Sequence, residues 1–385
     1  MARPPGKRAL APFGTTIFAE MTALATEHGA VNLGQGFPDT DGPREMLEAA
    51  KSAIDGGRNQ YPPGPGVPEL LAAVAAHQSR LYGLDVDPRS QVLVTVGATE
   101  AIAATILALC EPGDEVVTFE PYYDSYAASI ALAGAVRRTS VLRFPDFAVD
   151  EESLRAAFST KTRMVLLNTP HNPTGKVFSR SEIELICSLA REYDAWVVTD
   201  EVYEHLVFGG AVHVPVATLP GMWERTLTIS SAGKTFSATG WKVGWVSGPA
   251  AAVAAVRAVK QFLTFVGSGP FQPAVAVALA LDDHVYAGLA SSLEAKRDLL
   301  VAGLQSAGLQ VSVPDGTYFV IADAAPLGAV DALAFCRELP ARAGVVGVPV
   351  SVFHDDKGAA PTLVRFAFCK RDEVLHEAVS RLSRL

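Results

Sequence analysis

Short apolar runs alternate with longer amphipathic segments along most of the chain. From about residue 44, runs rich in Val, Ile, Leu, Trp and Phe are separated by stretches of helical periodicity, such as S-E-I-E-L-I-C-S-L-A-R-E-Y (181–193). The runs are V-L-V-T-V (92–96), E-V-V-T-F-E (115–120), R-M-V-L-L-N (163–168), A-W-V-V-T-D (195–200), T-L-T-I-S (226–230) and W-V-S-G (245–248). Several are apolar on both faces, which is typical of central parallel strands. The pattern predicts an α/β fold with helices on both faces of a mainly parallel sheet.

The pattern changes after about residue 285. A long helix is predicted over 286–307, followed by strand-like pieces at 310–313, 317–322, 348–353 and 363–368. These features indicate a second, smaller α+β lobe, whereas the first 40 residues are irregular and Gly-rich. We therefore predict three regions, namely an N-terminal arm that forms part of the small domain (1–43), a large domain (44–285) and a small C-terminal domain (286–385).

Length and composition narrow the classes of function. A chain of 385 residues is too long for one simple core, and its net charge of −9 disfavours nucleic acid or an anionic membrane as a partner. The N-terminal segment has no apolar core of a signal peptide, and no apolar run reaches membrane-spanning length, so we expect a cytoplasmic protein. The histidines show no ligand spacing, so no metal is assigned. Four cysteines are expected to be buried reduced thiols: Cys110, Cys187, Cys336 and Cys369.

Candidate chemistry lies where predicted strands end, because ligands of open α/β sheets bind beyond the carboxyl ends of the strands. In V-T-V-G-A-T-E-A-I (94–102), a strand ends at Gly97 and a helix is predicted to begin near Thr99 or Glu100. Backbone N–H groups at such a helix start, with a glycine that allows close approach, can cradle a phosphate. An ordinary tight turn with an N-cap threonine explains this motif equally well when it is taken alone.

Two further strand ends carry polar groups. The loop N-T-P-H-N-P-T-G-K (168–176) places the amides of Asn168 and Asn172 at the sheet edge, and its histidine, His171, is expected to be a loop residue rather than a catalyst. Asp200 ends the strand of A-W-V-V-T-D-E-V-Y (195–203) and is expected to be half buried, so it needs a partner. That partner is either a helix N-terminus that Asp200 caps or a cationic ring nitrogen, with the phenol of Tyr203 in the same pocket.

The segment S-S-A-G-K-T-F-S-A-T-G-W-K-V-G-W (230–245) contributes two lysines among small residues. A lysine in a desolvated cleft has a lowered pKa and can attack a carbonyl, although surface lysines in a Gly/Ser loop are common. Pyridoxal phosphate needs a lysine for its aldehyde, a carboxylate for its pyridinium nitrogen, donors for its phenolate oxygen and a phosphate cradle. The lysine can be Lys234 and the carboxylate Asp200. The phenolate donors can be Asn172 and Tyr203, and the phosphate cradle can be residues 97–99. The sequence therefore predicts this cofactor.

The sequence resembles the class I aminotransferases, pyridoxal-phosphate enzymes of the aspartate aminotransferase fold, along almost its whole length. Five segments look most like the branch of kynurenine and glutamine/methionine aminotransferases. They are V-N-L-G-Q-G-F-P-D (31–39), E-P-Y-Y-D-S-Y (120–126) and the segments at 168–176, 199–203 and 231–245. Within this branch, three further segments look closest to actinobacterial proteins classed as N-succinyldiaminopimelate aminotransferases. They are G-T-T-I-F-A-E-M-T-A-L-A (14–25), N-Q-Y-P-P-G-P-G (59–66) and L-V-R-F-A-F-C-K-R-D (363–372). The resemblance implies the type I fold of these transferases, with a mainly parallel seven-stranded sheet in the large domain and a smaller α+β domain.

The resemblance also implies roles for individual residues. Lys234 would bind the cofactor aldehyde covalently and act as general base and acid, and Asp200 would pair with the ring nitrogen. Tyr203 and Asn172 would hold the phenolate oxygen. Lys234, Tyr203 and Asp200 form the predicted catalytic set. The remaining cofactor contacts are expected from Gly97, Ala98, Thr99, Tyr123, Ser231, Lys242 and, across the interface of a homodimer, Tyr61.

On the substrate side, the resemblance implies that Arg365 binds the substrate carboxylate through a bidentate pair, with Asn172 beside it. The alternative for Arg365 is a solvated strand arginine, but its apolar surroundings in L-V-R-F-A-F make an unpaired charge costly. Phe18 and Gly36 would shape the substrate side. Lys242 stands where many class I enzymes carry arginine, and Thr99 stands where several kynurenine aminotransferases carry tyrosine, which argues against a preference for aromatic substrates.

The implied reaction is a ping-pong transamination between an amino acid and an oxo acid, with 2-oxoglutarate and glutamate as the expected pair. N-succinyl-L,L-diaminopimelate, a substrate of lysine biosynthesis, is one candidate donor. The alternatives are a kynurenine, glutamine or methionine aminotransferase with or without cysteine-conjugate β-lyase activity. A cofactor-sensing transcription regulator on the same fold is disfavoured, because V-N-L-G-Q-G begins at residue 31 and the chain is acidic.

Overall fold

The computed structural model describes residues 7–11, 13 and 17–385. Residues 14–16 of the motif at 14–25, and most of the segment assessed for a signal peptide, lie outside them. The strands are β1 (Val31–Asn32), β2 (Val92–Val96), β3 (Glu115–Glu120), β4 (Val136–Val141), β5 (Thr162–Asn168), β6 (Trp196–Asp200), β7 (Thr226–Ser231), β8 (Val243–Ser247), β9 (Gln310–Ser312), β10 (Phe319–Asp323), β11 (Val345–Val346), β12 (Val348–Pro349) and β13 (Leu363–Ala367).

Helices connect most of these strands. They are α1 (Ile17–His28), α2 (Arg44–Asp55), α3 (Pro68–Tyr82), α4 (Gly97–Leu109), α5 (Asp124–Ala133), α6 (Glu151–Ala157), α7 (Arg180–Glu192), α8 (Ala232–Thr235), α9 (Ala250–Leu263), α10 (Phe271–Leu279), α11 (Asp283–Ser306), α12 (Ala332–Ala343) and α13 (Asp372–Leu382). Short 3-10 helices occupy Arg8–Leu10, Val216–Thr218, Trp223–Arg225, Thr239–Trp241, Ala325–Leu327, Val350–Phe353 and Lys357–Ala359.

Local sequence signals explain where several helices begin and end. Helix α7 starts at a capping box, in which Ser179 and Glu182 satisfy each other's backbone N–H groups. Helix α3 begins with a proline, which needs no N–H partner in the first turn. The same helix ends at Gly83, whose left-handed φ of 69° a glycine adopts without a Cβ penalty.

The large sheet has seven strands in the order β2-β8-β7-β6-β5-β3-β4. Strands β7, β6, β5, β3 and β4 run parallel to one another, and β8 lies between β7 and β2 and is antiparallel to both. Consequently β2, β5, β6 and β7 all end at the same edge of the sheet. This edge is where polar side chains follow the predicted strands.

A second sheet has four antiparallel strands in the order β12-β13-β10-β9. It lies within the C-terminal region, and β1 from the N-terminal region pairs in parallel with β11. The hydrophobic core extends across both sheets without interruption, from Val165 and Val197 of the large sheet to Val320 and Phe366 of the small one. This distribution of strands is compatible with the three predicted regions, 1–43, 44–285 and 286–385. Their boundaries stay a prediction.

The structure differs from the sequence-based elements at several places. The run at 348–353 forms only the two-residue strand β12, and Val350–Phe353 turn into a 3-10 helix. Helix α4 begins at Gly97 rather than near Thr99 or Glu100, because the left-handed φ of Gly97 (72°) reverses the chain directly after β2. Strand β4, V-R-R-T-S-V, was absent from the predicted runs because this edge strand exposes polar side chains.

The four cysteines are free and buried, as expected from their apolar neighbourhoods. The apolar stretch at 270–281 forms the mostly buried helix α10. In the part of the chain that the structure describes, no single helix is long and apolar enough to cross a membrane. Helices α10 and α11 meet that test only as a pair, and they are bent by 92° at the break between them.

Candidate active site

Three neighbouring strands bring the main polar residues to one place. Asn168 ends β5 and Asp200 ends β6, and the two residues are direct partners in the sheet register. Asp200 in turn lies beside Ile229 of β7, which runs on through Ser231 into the one-turn helix α8 that carries Lys234. Lys234 therefore lies in a short helix, not in the open loop that the sequence suggested. The sheet topology places this lysine and Asp200 above the same edge.

A cavity of about 290 Å³ opens at this edge. Most of the predicted site residues line it: Gly36, Gly97, Ala98, Thr99, Tyr123, Asn172, Asp200, Tyr203, Ser231, Lys234 and Lys242. Its wall also includes Tyr126 and Asn168. Helices and strands that are far apart in the sequence thus converge on one concave site, which is the usual form of a small-molecule site.

Lys234 lies among aromatic rings. Its Nζ atom is 5.9 Å from the ring centroid of Tyr203 and 5.7 Å from that of Tyr318. Burial lowers the pKa of this amine, and the positive charges of Arg365 and Lys242 act in the same direction. A larger fraction of Lys234 is therefore neutral, which is the form that attacks carbonyl groups and accepts protons.

Asp200 is only 4% exposed, so it is more deeply buried than the sequence suggested. Its Oδ2 atom accepts a hydrogen bond from the hydroxyl of Tyr126 at 2.6 Å, and Oδ1 accepts a long one from the Val202 N–H at 3.4 Å. The residues after it form turns rather than a helix, which excludes the N-cap alternative. Burial raises the pKa of Asp200 to about 6, and the Tyr126 hydrogen bond and the charge of Lys234 oppose that rise.

The loop after β5 is fixed by its two asparagines. The N–H of Asn172 donates to Oδ1 of Asn168 at 2.6 Å, and Nδ2 of Asn168 donates to the carbonyl of Asp200 at 2.8 Å. Oδ1 of Asn172 accepts a hydrogen bond from Arg365 Nη1 at 3.1 Å. Its carbonyl end is therefore occupied, and the amide nitrogen of this cavity-lining residue is the end left to donate.

Tyr203 is buried and packs against two other aromatic rings. It meets Tyr318 edge to face with ring centroids 5.2 Å apart, and burial raises the pKa of its phenol above the ordinary range. The Tyr318 hydroxyl donates to the carbonyl of Gly36 at 2.8 Å. A Cβ atom at Gly36 would lie 2.5 Å from the ring of Phe319, so only glycine fits this position on the cavity wall.

Gly97 allows helix α4 to begin beside Lys242. A Cβ atom at Gly97 would lie 3.1 Å from Lys242 Nζ, and the φ of 72° already disfavours any side chain there. The first N–H groups of α4 follow at Ala98 and Thr99, both of which line the cavity. The start of a helix, an ammonium group and a glycine are thus close together, and this combination favours an anion.

Arg365 lies on β13 and is 3% exposed, which rules out the solvated alternative. Its guanidinium carbon is 4.1 Å from the ring centroid of Phe319 and 5.3 Å from that of Phe18. Nη2 donates to the carbonyl of Gly34 at 3.1 Å, while Nε is buried without a partner. Burial lowers the pKa of Arg365 to about 10, and Tyr203, Tyr318 and the carboxylate of Asp124 oppose that fall.

Tyr61 lies apart from this cavity. Its ring is 81% exposed and packs edge to face on Phe265, with centroids 5.5 Å apart. It contributes nothing to the site of its own chain. Its predicted role across a subunit interface stays a prediction.

Comparison with known proteins decides the family. Residues 28–382 match the model of the family described as aminotransferase class I and II. The chain is 54% identical over 387 residues to a probable N-succinyldiaminopimelate aminotransferase from Mycobacterium tuberculosis, covering 98% of this chain and 97% of that protein. It is 42% identical over 376 residues to the methionine aminotransferase of Escherichia coli, covering 98% and 97%.

The chain belongs to the class I and II aminotransferase family.

Solved structures agree with this assignment. The N-succinyldiaminopimelate aminotransferase of M. tuberculosis matches with a TM-score of 0.96 at 55% identity, covering 98% of this chain and 99% of that one. A double mutant of Thermus thermophilus aspartate aminotransferase matches with a TM-score of 0.91 at 32% identity, covering 99% and 100%. The predicted resemblance, the fold class and the aminotransferase activity are confirmed. The family is one that uses pyridoxal phosphate.

This aminotransferase also contains polar groups that sequence reasoning missed. Tyr126, Tyr318 and the Gly34 carbonyl contact predicted site residues, but their sequence positions carry no distinctive signal beyond the motifs in which they lie. Such contacts depend on side-chain direction, which spacing alone does not reveal.

A buried cluster beside the sheet brings together His77, His205 and Glu204. Nε2 of His77 and Nε2 of His205 are 2.9 Å apart, and Glu204 accepts hydrogen bonds from Tyr82 and Ser230, both at 2.6 Å. Their ligand atoms lie within 4.8 Å of one another, a proximity that the sequence spacing did not indicate. The imidazoles bond to each other and the carboxylate to two hydroxyls, so these contacts explain the cluster without a metal.

Proposed function

We propose that this aminotransferase binds pyridoxal phosphate in the cavity through Lys234 and transfers the amino group of N-succinyl-L,L-diaminopimelate to 2-oxoglutarate. The observation that carries the proposal is that Lys234 and Asp200 line one cavity together with Asn172, whose side chain accepts a hydrogen bond from Arg365. An amine of lowered pKa, a buried carboxylate and a buried arginine whose Nε atom has no hydrogen-bond partner match three charged or reactive parts of the cofactor–substrate pair.

The phosphate end of the cofactor fits the region around Gly97. Several groups that can bind an anion line the cavity here. They are the ammonium group of Lys242, the hydroxyl-bearing residues Thr99 and Ser231, and the first residues of α4. A side chain at Gly97 would occupy the approach to Lys242, so the glycine keeps this space open for an anion.

The ring of the cofactor fits between Tyr123 and the opposite wall. Asp200 would hold the protonated ring nitrogen, and its Oδ1 atom, which has only a long backbone contact, is available for this interaction. The Asn172 amide nitrogen and the Tyr203 hydroxyl would donate to the phenolate oxygen. Tyr123 lines the cavity beside Thr99 and would stack on the ring.

Arg365 would bind the substrate carboxylate. Its Nη1 is held by Asn172 and its Nη2 by Gly34, which fixes the plane of the guanidinium group while Nε stays unpartnered. A buried donor without a partner is costly, and a substrate carboxylate would satisfy it. Both the amino acid and the oxo acid carry that carboxylate, so one arginine can serve both halves of the reaction.

Pyridoxal phosphate, when bound, supplies an electron-withdrawing ring that stabilises negative charge at the substrate α-carbon. Asp200 would support this by keeping the ring nitrogen protonated. Lys234 would take the proton from the α-carbon and return it, because burial lowers the pKa of this amine and so favours its neutral form. The rings of Tyr203 and Tyr318 beside Lys234 would limit the access of water to that proton.

The choice of amino donor is supported by similarity. The relative at 54% identity is a probable N-succinyldiaminopimelate aminotransferase, which would place this enzyme in lysine biosynthesis, and the methionine aminotransferase is more distant at 42%. Thr99, where several kynurenine aminotransferases have tyrosine, further disfavours an aromatic donor. We also propose a homodimer with Tyr61 at the neighbouring site, and a cytoplasmic location.

A half-reaction screen tests the donor. The cofactor-loaded protein is mixed with a single amino donor and no oxo acid, and the change in the visible absorption of the cofactor is followed. We expect N-succinyl-L,L-diaminopimelate to react faster than kynurenine, methionine or glutamine by about tenfold or more, a difference of roughly 1.4 kcal/mol in the barrier. A faster reaction with any of the other three would overturn the donor while leaving the aminotransferase assignment intact.

A further inference from the structure

Tyr126 touches the most deeply buried carboxylate of the candidate site. It lies on the first turn of α5, is 3% exposed, and donates its hydroxyl to Oδ2 of Asp200 at 2.6 Å. A hydrogen bond of this length to a carboxylate is short and charge-assisted. None of the cofactor or substrate roles described above uses Tyr126.

No other titratable side chain around Asp200 can replace the hydrogen bond from Tyr126 in the described structure. The titratable groups that face it are Tyr123 just before α5, Tyr126 from α5, Glu201 and Tyr203 after β6, and Lys234 from α8. Of these groups, Tyr126 alone forms a hydrogen bond to the carboxylate in the described structure. Glu201 is itself bonded to His213 at 2.8 Å.

Tyr126 is suited to act as a permanent donor. Burial raises the pKa of its phenol well above the ordinary value, so the hydroxyl keeps its proton throughout the working pH range. A neutral donor stabilises the ionised form of its partner and opposes the effect of burial on Asp200. It also occupies Oδ2, which leaves Oδ1 as the oxygen available to the cavity.

We propose that Tyr126 is a positioning residue that keeps Asp200 ionised and turns its Oδ1 atom toward the nitrogen of the cofactor ring. The inference rests on the proposed function, because Asp200 needs its negative charge only if a cationic group is to be held there. Tyr126 does not touch the reacting atoms and acts through Asp200 alone.

The test is the pH dependence of cofactor binding, measured by fluorescence quenching with pyridoxal phosphate, in wild type, Tyr126→Phe and Tyr122→Phe. Tyr122 is the matched control, because it belongs to the same segment but donates its hydroxyl to Asp355 at 3.1 Å. Asp200→Asn provides the reference for a site without the charge. Near-ultraviolet circular dichroism confirms that each variant is folded.

In wild type, affinity is expected to fall as pH drops through about 6, where Asp200 takes up a proton. Without the Tyr126 hydroxyl this midpoint should rise by about one to two pH units, since a hydrogen bond to a charged group contributes about one to two factors of ten. Tyr122→Phe should keep the wild-type midpoint. At high pH, where Asp200 is ionised in both proteins, Tyr126→Phe should bind nearly as tightly as wild type.

An unchanged midpoint in folded Tyr126→Phe would overturn the inference. If Tyr126→Phe does not fold, replacement of Tyr126 by 3-fluorotyrosine keeps the ring and makes the hydroxyl a stronger donor, so the midpoint should move below that of wild type; no movement, or an upward one, would equally overturn the inference. If wild type itself fails to bind pyridoxal phosphate at any pH, the proposed function fails instead, so the two failures are distinguishable.

Discussion

Nη1 of Arg365 donates a hydrogen bond to Oδ1 of Asn172 at 3.1 Å, and this contact joins strand β13 of the small sheet to the loop that follows β5 of the large one. The two residues are far apart in the sequence, and of the two Asn172 lines the cavity, whereas Arg365 lies behind it on the small sheet. The contact orients the guanidinium group and uses the carbonyl end of the amide, so the amide nitrogen is left to face the cavity. One hydrogen bond thus prepares both the proposed carboxylate site and a proposed cofactor contact.

Arg365→Lys should impair use of both substrates. Lysine keeps the charge but cannot bond Asn172, Gly34 and a carboxylate in one plane. We expect kcat/KM for the amino acid and for the oxo acid to fall by about 30-fold or more, because losing a buried charged hydrogen bond costs at least about 2 kcal/mol. Steady-state kinetics with each substrate varied in turn measures the effect.

Arg138→Lys is the matched control, since Arg138 is half exposed, forms an ion pair with Glu115 at 2.6 Å and does not line the cavity. Its kinetics should equal those of wild type. Equal kinetics for Arg365→Lys and Arg138→Lys would show that Arg365 does not bind the substrate carboxylate.

Gly97→Ala should weaken cofactor binding, whereas Gly83→Ala should not. Both glycines have left-handed φ values, 72° and 69°, so each substitution should lower the free energy of unfolding by about 1–2 kcal/mol. A Cβ at Gly97 would meet Lys242 Nζ, while nothing lies within 4 Å of one at Gly83. Denaturant unfolding and cofactor titration of both variants separate the two effects, and equal cofactor affinities would contradict the proposed phosphate cradle.

His77 should make the stability of the cofactor-free protein depend on pH. Burial lowers its pKa from the ordinary 6.5 to about 4, so between these values the unfolded chain binds a proton that the folded chain does not. The stabilisation is fully present above pH 6.5 and is lost as pH falls toward 4, with a slope of up to about 1.4 kcal/mol per pH unit. His77→Gln should show a shallower slope in denaturant unfolding over this range, and a slope equal to that of wild type would argue against a neutral buried imidazole.

Mixing two inactive variants should restore activity if Tyr61 acts across a subunit interface. A hybrid dimer of Lys234→Ala and Tyr61→Ala has one site with an intact Lys234 and the intact Tyr61 of the other subunit, and one site that lacks both. Unfolding and refolding the two variants together, followed by an activity assay, measures this. If Tyr61 acted within its own chain, every hybrid site would lack one of the two residues and no activity would return.

The sequence revealed the large sheet and the chemistry at its edge because both depend on local patterns. The runs at β5 and β6 contain consecutive apolar residues, and β7 alternates apolar residues with threonine. Asn168, Asp200 and Ser231 lie at the ends of these strands. Strand β4 escaped detection, because its two consecutive arginines, Thr139 and Ser140 leave this edge strand without a continuous apolar run. The strand predicted over 348–353 was wrong beyond β12, because its alternating valines are equally compatible with a buried 3-10 helix.

Contacts between distant segments could not be read from the chain. Tyr126 lies in a motif that the sequence did single out, yet only the direction of its side chain from α5 brings it to Asp200. The pairing of His77 with His205 joins two residues with no shared pattern. Tyr61 is exposed, and a single chain cannot place it at a neighbouring site.

We expect Lys234, and not Lys242, to be the residue that binds pyridoxal phosphate covalently. Lys234 lies beside Tyr203 and Tyr318, whereas Lys242 lies beside Gly97 at the proposed phosphate cradle. Borohydride reduction of the cofactor-loaded enzyme followed by peptide mass spectrometry locates the attachment. The account predicts the added mass of the reduced cofactor on Lys234 alone, and its appearance on Lys242, or on no lysine of an active preparation, would contradict it.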